Sequence, residues 1–248
     1  MEELLDRARV SGHLGTPGRT ELQRLVERMV LGERTALGEM TPLAGVTVVD
    51  AWAAMTAVFG PKVDLPVIDA HCTMAGAELA AQRIREVSIA GGRIAFATGS
   101  PASLLPMHSF LARLALECGA EVDDQDDVGP FRADGRTPRW LRWCDGVATV
   151  TDGESICSAR GGEAAREWVF ILARPALVVA DGPFAEAAWE AGIDVVAFAG
   201  LDRPGLAIPA CRRDRATVVP LRTDRPPLAY RPLMGCFGKW LGGEDGSS

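Results

Sequence analysis

Acidic, hydroxyl-bearing and glycine residues recur in this sequence at one kind of position, directly after a short apolar run. Asp69-Ala70-His71 follows Val67-Ile68, and Thr98-Gly99-Ser100 follows Ile94-Ala95-Phe96-Ala97. Asp181-Gly182 follows Leu177-Val178-Val179-Ala180, and Gly200-Leu201-Asp202-Arg203 follows Val195 to Ala199. Carboxylates hold hard divalent cations such as Mg2+ or Mn2+, so Asp69, Asp181 and Asp202 form a candidate metal set. A Gly/Ser loop opening a helix presents unpaired N–H groups and a partial positive charge to an anion. Thr98, Gly99 and Ser100 are therefore candidate phosphate contacts, and the planar Arg203 guanidinium adds a fork that matches phosphate. Two residues after Asp69, the His71 imidazole is a candidate acid or base. An Asp or Ser after a strand is also an ordinary helix N-cap. The joint occurrence of four such loops is what points to metal-and-phosphate chemistry.

Those loops need elements that bring them to one edge. From residue 63 onward, short apolar runs alternate with amphipathic segments, the pattern of βαβ units and a largely parallel, Rossmann-like sheet. In such sheets ligands bind outside the carboxyl ends of the strands. Val63 to Ile68 is predicted as the first strand, with further strands at Arg93–Ala97, Ala176–Ala180, Asp194–Ala199 and Ala216–Val219. Residues 1–62 are predicted as a helical appendage, with a capping box at Thr20/Gln23 and a second helix from Thr47 to Phe59. Residues 63–235 form the α/β domain, interrupted at about 128–155 by an inserted β-hairpin whose turn is Asp145-Gly146. Residues 236–248 are expected to be a flexible tail.

Composition narrows the function classes. With 26 basic against 33 acidic residues the formal charge is −7, which argues against nucleic acid as a partner. Lys62 and Lys239 are the two lysines, so nearly all positive charge is arginine. The six cysteines are scattered without a Cys-x-x-Cys pair, as thiols are in a reducing compartment, so a cytoplasmic location is expected. No apolar stretch is long enough to span a membrane. There is no Gly-x-x-x-x-Gly-Lys and no Gly-x-Gly-x-x-Gly after the first strand, so no nucleotide cofactor is predicted. The histidines are His13, His71 and His108, an order that excludes a Ser…Asp…His triad and a His-Glu-x-x-His zinc site. His108, inside a helix beside Met107, reads as structural.

The layout resembles the haloacid-dehalogenase-like phosphohydrolases. Val67-Ile68-Asp69-Ala70-His71-Cys72-Thr73 is similar to that family's Asp-x-Asp-x-Thr motif, with His71 at the second Asp. Ile94 to Gly99 is similar to its strand ending in Thr-Gly, and Leu177 to Gly192 to its closing acidic motif, with Ala185 at the later acid. The resemblance implies that Asp69 attacks phosphorus, Thr98 holds a phosphoryl oxygen and Asp181 binds Mg2+. Longer segments, Gly92 to Leu105, Leu141 to Gly153, Ala176 to Pro209 and Pro226 to Pro232, resemble an actinobacterial family labelled "phosphatase". Its opening Thr-Pro-Arg loop has a counterpart in Thr16-Pro17-Gly18-Arg19. The expectation is hydrolysis of a small phosphorylated metabolite, assisted by Mg2+ or Mn2+. The alternative is a noncatalytic domain that binds a small anion or nucleotide through the same loops. The sequence sets no oligomeric state.

Overall fold

A computed structural model describes residues 1–13, 18–33, 40–41, 43–133, 137–159 and 161–242. The chain runs through α1 (Glu2–Arg7), β1 (Gly12–His13), α2 (Arg19–Val30), α3 (Val48–Phe59), β2 (Val67–Ile68) and α4 (Ala70–Ile89). Next come β3 (Arg93–Ala97), α5 (Pro101–Glu117), β4 (Glu121–Val122), β5 (Val128–Ala133), β6 (Thr137–Cys144), β7 (Val147–Thr151) and β8 (Ile156–Cys157). The remainder is α6 (Glu163–Ile171), β9 (Leu177–Asp181), α7 (Gly182–Glu190), β10 (Val195–Ala199), α8 (Ala207–Cys211), β11 (Ala216–Pro220), a 3-10 turn (Pro227–Tyr230) and α9 (Arg231–Leu241).

The main sheet has the order β11-β10-β9-β3-β7-β6-β5, with β4 beside β3 and β8 beside β7. Strands β11, β10, β9, β3 and β7 are mutually parallel, and β7, β6 and β5 continue the sheet antiparallel. The Asp145-Gly146 turn forms as expected, both residues in the left-handed region (φ 51° and 76°) that a two-residue hairpin favours. The hairpin extends the sheet through β7.

Alternation along the strands explains the layers. Ile94, Phe96, Leu177, Val179, Val196 and Phe198 bury against α1, α4, α5 and α9 on one face. Ala95, Ala97, Val178, Ala180, Ala197 and Ala199 share the other core with α2, α3, α6, α7 and α8. Strands covered on both sides read as continuous apolar runs, which is why the sequence exposes them. On the second face small alanines let the helices lie close.

Three expectations are corrected. Val63 to Ile68 is not a strand of the main sheet: residues 61–66 turn, and the two-residue β2 pairs antiparallel with β1. Pro66 removes a ladder donor immediately before β2, which limits its length. The Thr20/Gln23 capping box does not form, because α2 starts at Arg19 with Gly18 at its N-cap, two residues before Thr20. A capping box does form at Thr47/Asp50, opening α3. The tail does not begin at 236, since α9 continues to Leu241 and buries Cys236, Phe237 and Leu241. Thr16 and Pro17 of the opening loop and residues 243–248 of the expected tail lie outside the described residues.

Candidate functional site

A cavity of ≈ 50 Å³ opens at the carboxyl ends of β3, β9 and β10. From β3 the chain passes to β4 and β7 on one side and later returns to β9 on the other, so the cavity lies where strand order reverses. Open α/β sheets place ligands at such a point. Gly99, Ser100, Asp181, Asp202 and Arg203 line it, joined by Glu186 from α7 and Thr223 from the segment after β11. Ala159, in the loop after β8, closes one wall and donates its N–H to Gly99 O at 3.0 Å.

Asp181 ends β9 and occupies the N-cap of α7, yet its side chain caps nothing. Gly182 next to it has φ +56°, a left-handed conformation that glycine adopts without strain. The carboxyl group is fully buried, and neither oxygen has a hydrogen-bond partner. Burial pushes its pKa up, while His108, the Thr98 and Ser100 hydroxyls and the Gly99 N–H oppose that from nearby without closing a bond of normal geometry. Thr98 is buried behind the wall, its hydroxyl accepting the Ser100 N–H at 3.1 Å.

Behind Asp181 stands His108, also fully buried, with Nε2 3.8 Å from Asp181 Oδ1. Its Nδ1 lies 3.0 Å from Leu104 O. A carbonyl can only accept, so Nδ1 carries a proton and Nε2 of the neutral ring faces Asp181 as an acceptor. Burial pushes the His108 pKa down, against the pull of Asp181. Both groups thus favour their neutral forms in this dry setting.

Glu186 is 2% exposed and accepts a hydrogen bond from Arg203 Nη1 at 2.9 Å. Burial lifts its pKa to about 7, although Arg203 pulls it down; the charge of Asp202 adds to the rise. Asp202 stands at the mouth with an exposed side chain. Its packed surroundings raise its pKa, but the water it meets limits what that is worth. Gly200 makes room for it, since a Cβ there would lie 2.5 Å from Asp202 Oδ1.

Asp69 and His71 do not line this cavity. Asp69 Oδ1 accepts the His71 N–H at 2.8 Å and caps α4. The exposed His71 ring sits 3.1 Å from Glu2. The structure therefore brings Asp181 and Asp202 of the candidate metal set to one place, and Asp69 to another. Among the described residues no three His, Cys, Asp or Glu side chains are grouped to hold a metal. Two carboxylates can still fit Mg2+, which commonly takes one or two and completes its shell with water and substrate phosphate. The doubly orphaned Asp181 has the free oxygens that such an ion needs. Sequence reasoning did not single out Glu186 and read His108 as structural; both are buried polar side chains on apolar helices.

Among the described residues no helix is long and apolar enough to cross a membrane. A family model described as "Phosphatase" matches residues 1–237. Phosphatase SCO2771 of Streptomyces coelicolor is 26% identical over 239 residues, covering 89% of this chain and 87% of that protein. No solved structure matches. With the match running from the first helix through the strands, the cavity and most of α9, the chain belongs to the Phosphatase family.

Proposed function

We propose that this protein hydrolyses a small phosphomonoester at the cavity formed by Asp181, Glu186, Asp202 and Arg203. The observation that carries the reading is the Asp181 carboxyl group, buried with both oxygens unpartnered in the wall of a cavity that also presents an arginine. A buried carboxyl left unsatisfied costs about 1–3 kcal/mol, and a ligand that satisfies it accounts for its retention. Membership of the Phosphatase family and the name of the Streptomyces relative support phosphate-ester chemistry.

In this reading Arg203 takes the phosphoryl oxygens as a planar, charged donor. The Ser100 hydroxyl and the N-terminal end of α5 face the same space and favour negative charge. The cavity has room for a phosphoryl group but not a whole metabolite, so the alcohol portion lies outside, past Thr223 and Asp202. Asp181 and Asp202 are the side chains that would hold Mg2+ or Mn2+. Such an ion supplies charge neutralisation on the transferring phosphoryl group. Water that enters with substrate serves as the nucleophile, since Asp69 is not at hand. All six cysteines are free, which suits a cytoplasmic enzyme acting on metabolites.

The experiment is a phosphate-release assay across a panel of phosphomonoesters, with Mg2+, with Mn2+ and after exhaustive chelation. Turnover of at least one ester, lost in Asp181→Asn, is expected. Binding of phosphate without turnover on the whole panel would favour a noncatalytic anion-binding domain. Full turnover after chelation would remove the metal from the reading while leaving the hydrolase.

A further inference from the structure

Glu186 does something more specific than neutralise Arg203. It sits within the first turns of α7 between Ala185 and Ala187, in a helix whose residues Pro183 to Trp189 are all buried. Glutamate on such a helix ordinarily extends to solvent; here it is held inside, lining the cavity, with Oε2 fixed at 2.9 Å from Arg203 Nη1. An acid fixed beside the group that binds phosphoryl oxygens lies close to the ester oxygen that must leave. Alkoxides are poor leaving groups and need a proton as the P–O bond breaks.

Resting on the hydrolase reading above, we propose that Glu186 is the general acid of the reaction, donating its carboxyl proton to the leaving oxygen of an alkyl phosphate held by Arg203. The oxygen of water bonds to phosphorus as the ester P–O bond breaks. The electron pair of that bond stays on the leaving oxygen, which takes the proton from Glu186 and departs as the alcohol. Dihydrogen phosphate and the Glu186 carboxylate remain; a proton passes from the former to the latter, leaving hydrogen phosphate and restoring the acid. No other reactant is needed.

The surroundings set how firmly that proton is held. Arg203 favours the carboxylate, whereas burial and the charge of Asp202 at the mouth favour the acid, and the balance falls at about 7. When a phosphoryl group engages Arg203, the guanidinium's hold on Glu186 weakens and the acid form gains further. The substrate class this implies is alkyl phosphates, whose leaving group requires the proton, in preference to acyl phosphates or anhydrides, whose leaving groups do not.

The test compares glycerol phosphate with p-nitrophenyl phosphate, whose leaving group departs unprotonated. Glu186→Gln keeps the shape of the side chain and its contact with Arg203 but has no proton to give. Its kcat on glycerol phosphate is expected to fall roughly 10²–10⁴-fold, with KM little changed, while its kcat on p-nitrophenyl phosphate falls less than about tenfold. Glu186→Asp, which retains an acid, is expected to keep more of the glycerol phosphate rate than the Gln variant. Equal losses on both esters mark a purely structural ion pair and overturn the assignment alone. A wild-type protein that hydrolyses neither ester overturns the hydrolase reading and this assignment with it.

Discussion

The buried acid at 186 has a stability signature that can be read without substrate. Its carboxyl would titrate near 4.5 in the unfolded chain and titrates at about 7 in the folded one. Each pH unit between those values is worth about 1.4 kcal/mol, so the folded state forfeits about 3 kcal/mol as pH rises through the window. The direction follows from proton counts. Below 4.5 the group is protonated in both states and contributes no penalty. Between 4.5 and about 7 the unfolded chain releases its proton and the folded chain does not, so unfolding gains. Above about 7 both are ionised and the loss is complete. Glu186→Gln cannot titrate, and its contact with Arg203 gives a constant offset that cancels when pH is varied. Urea unfolding of both proteins, followed by tryptophan fluorescence from pH 5 to 8, isolates this group. The stability of wild type relative to the Gln variant is expected to fall by about 2–3 kcal/mol over that range, roughly 1 M in urea midpoint for a chain of this size. A difference that stays flat with pH, or rises, would refute the claim that Glu186 is held as an acid.

Asp181→Asn is expected to abolish turnover while raising stability by about 1–3 kcal/mol, because its amide can donate to His108 Nε2, which has no hydrogen-bond partner and lies 3.8 Å from Asp181 Oδ1. Thermal unfolding should show this as a rise of roughly 2–4 °C per kcal/mol; a lower melting point would count against an unsatisfied carboxyl. Arg203→Ala should raise KM for the ester and weaken inhibition by inorganic phosphate together, by roughly 10–100-fold, the worth of a charge-assisted hydrogen bond; an unchanged inhibition constant would place phosphate elsewhere. Gly76→Ala tests how α4 seats on the sheet: the new Cβ would lie 2.5 Å from Val218 O, 3.0 Å from Pro220 Cδ and 3.2 Å from Val219 Cα. Despite a gain of about 1 kcal/mol in helix propensity, urea unfolding should show a net loss of about 1–3 kcal/mol from overpacking.

How much of this was legible depended on whether the determining interaction was local. Strands β3, β9, β10 and β11 are apolar on both faces because helices cover both, and their runs stand out without knowledge of partners. The short β2 has an apolar run too, but its partner is Gly12–His13, and no local pattern announces a pairing over that distance. Thr20 and Gln23 have the composition of a capping box, yet the helix starts at Arg19 and leaves Thr20 inside its first turn. The same division runs through the site. Gly99, Ser100, Asp181, Asp202 and Arg203 directly follow strands, so an edge-loop argument gathers them. Glu186 and His108 reach the site by helix phase. Glu186 stands five residues after Asp181, one beyond Ala185, where the phosphohydrolase layout has its later acid. His108 stands on the buried face of α5, one turn after the Leu104 carbonyl that fixes its tautomer. Neither position is marked until α5 and α7 are packed against the strand ends.

The charge on the cavity wall finally bears on which chemistry the site can host. Three carboxyl groups, Asp181, Glu186 and Asp202, face one guanidinium there, and the nearest imidazole favours its neutral form. Were all three ionised, a phosphate dianion would meet a net negative wall at contact distance in a poorly solvated space, where like charges repel strongly. Two routes relieve this. Protons held on Asp181 and Glu186 would make the wall nearly neutral, and burial raises the pKa of each. In the proposed reading a divalent cation held by Asp181 and Asp202 would do the same for the ionised form, and the unpartnered oxygens of Asp181 suit it. In both cases Asp181 is useful because its oxygens lack a hydrogen-bond partner, whereas Asp69 Oδ1 already accepts the His71 N–H and caps α4. The separation between Asp69, which caps, and Asp181, which does not, is the physical basis for proposing the chemistry at the end of β9.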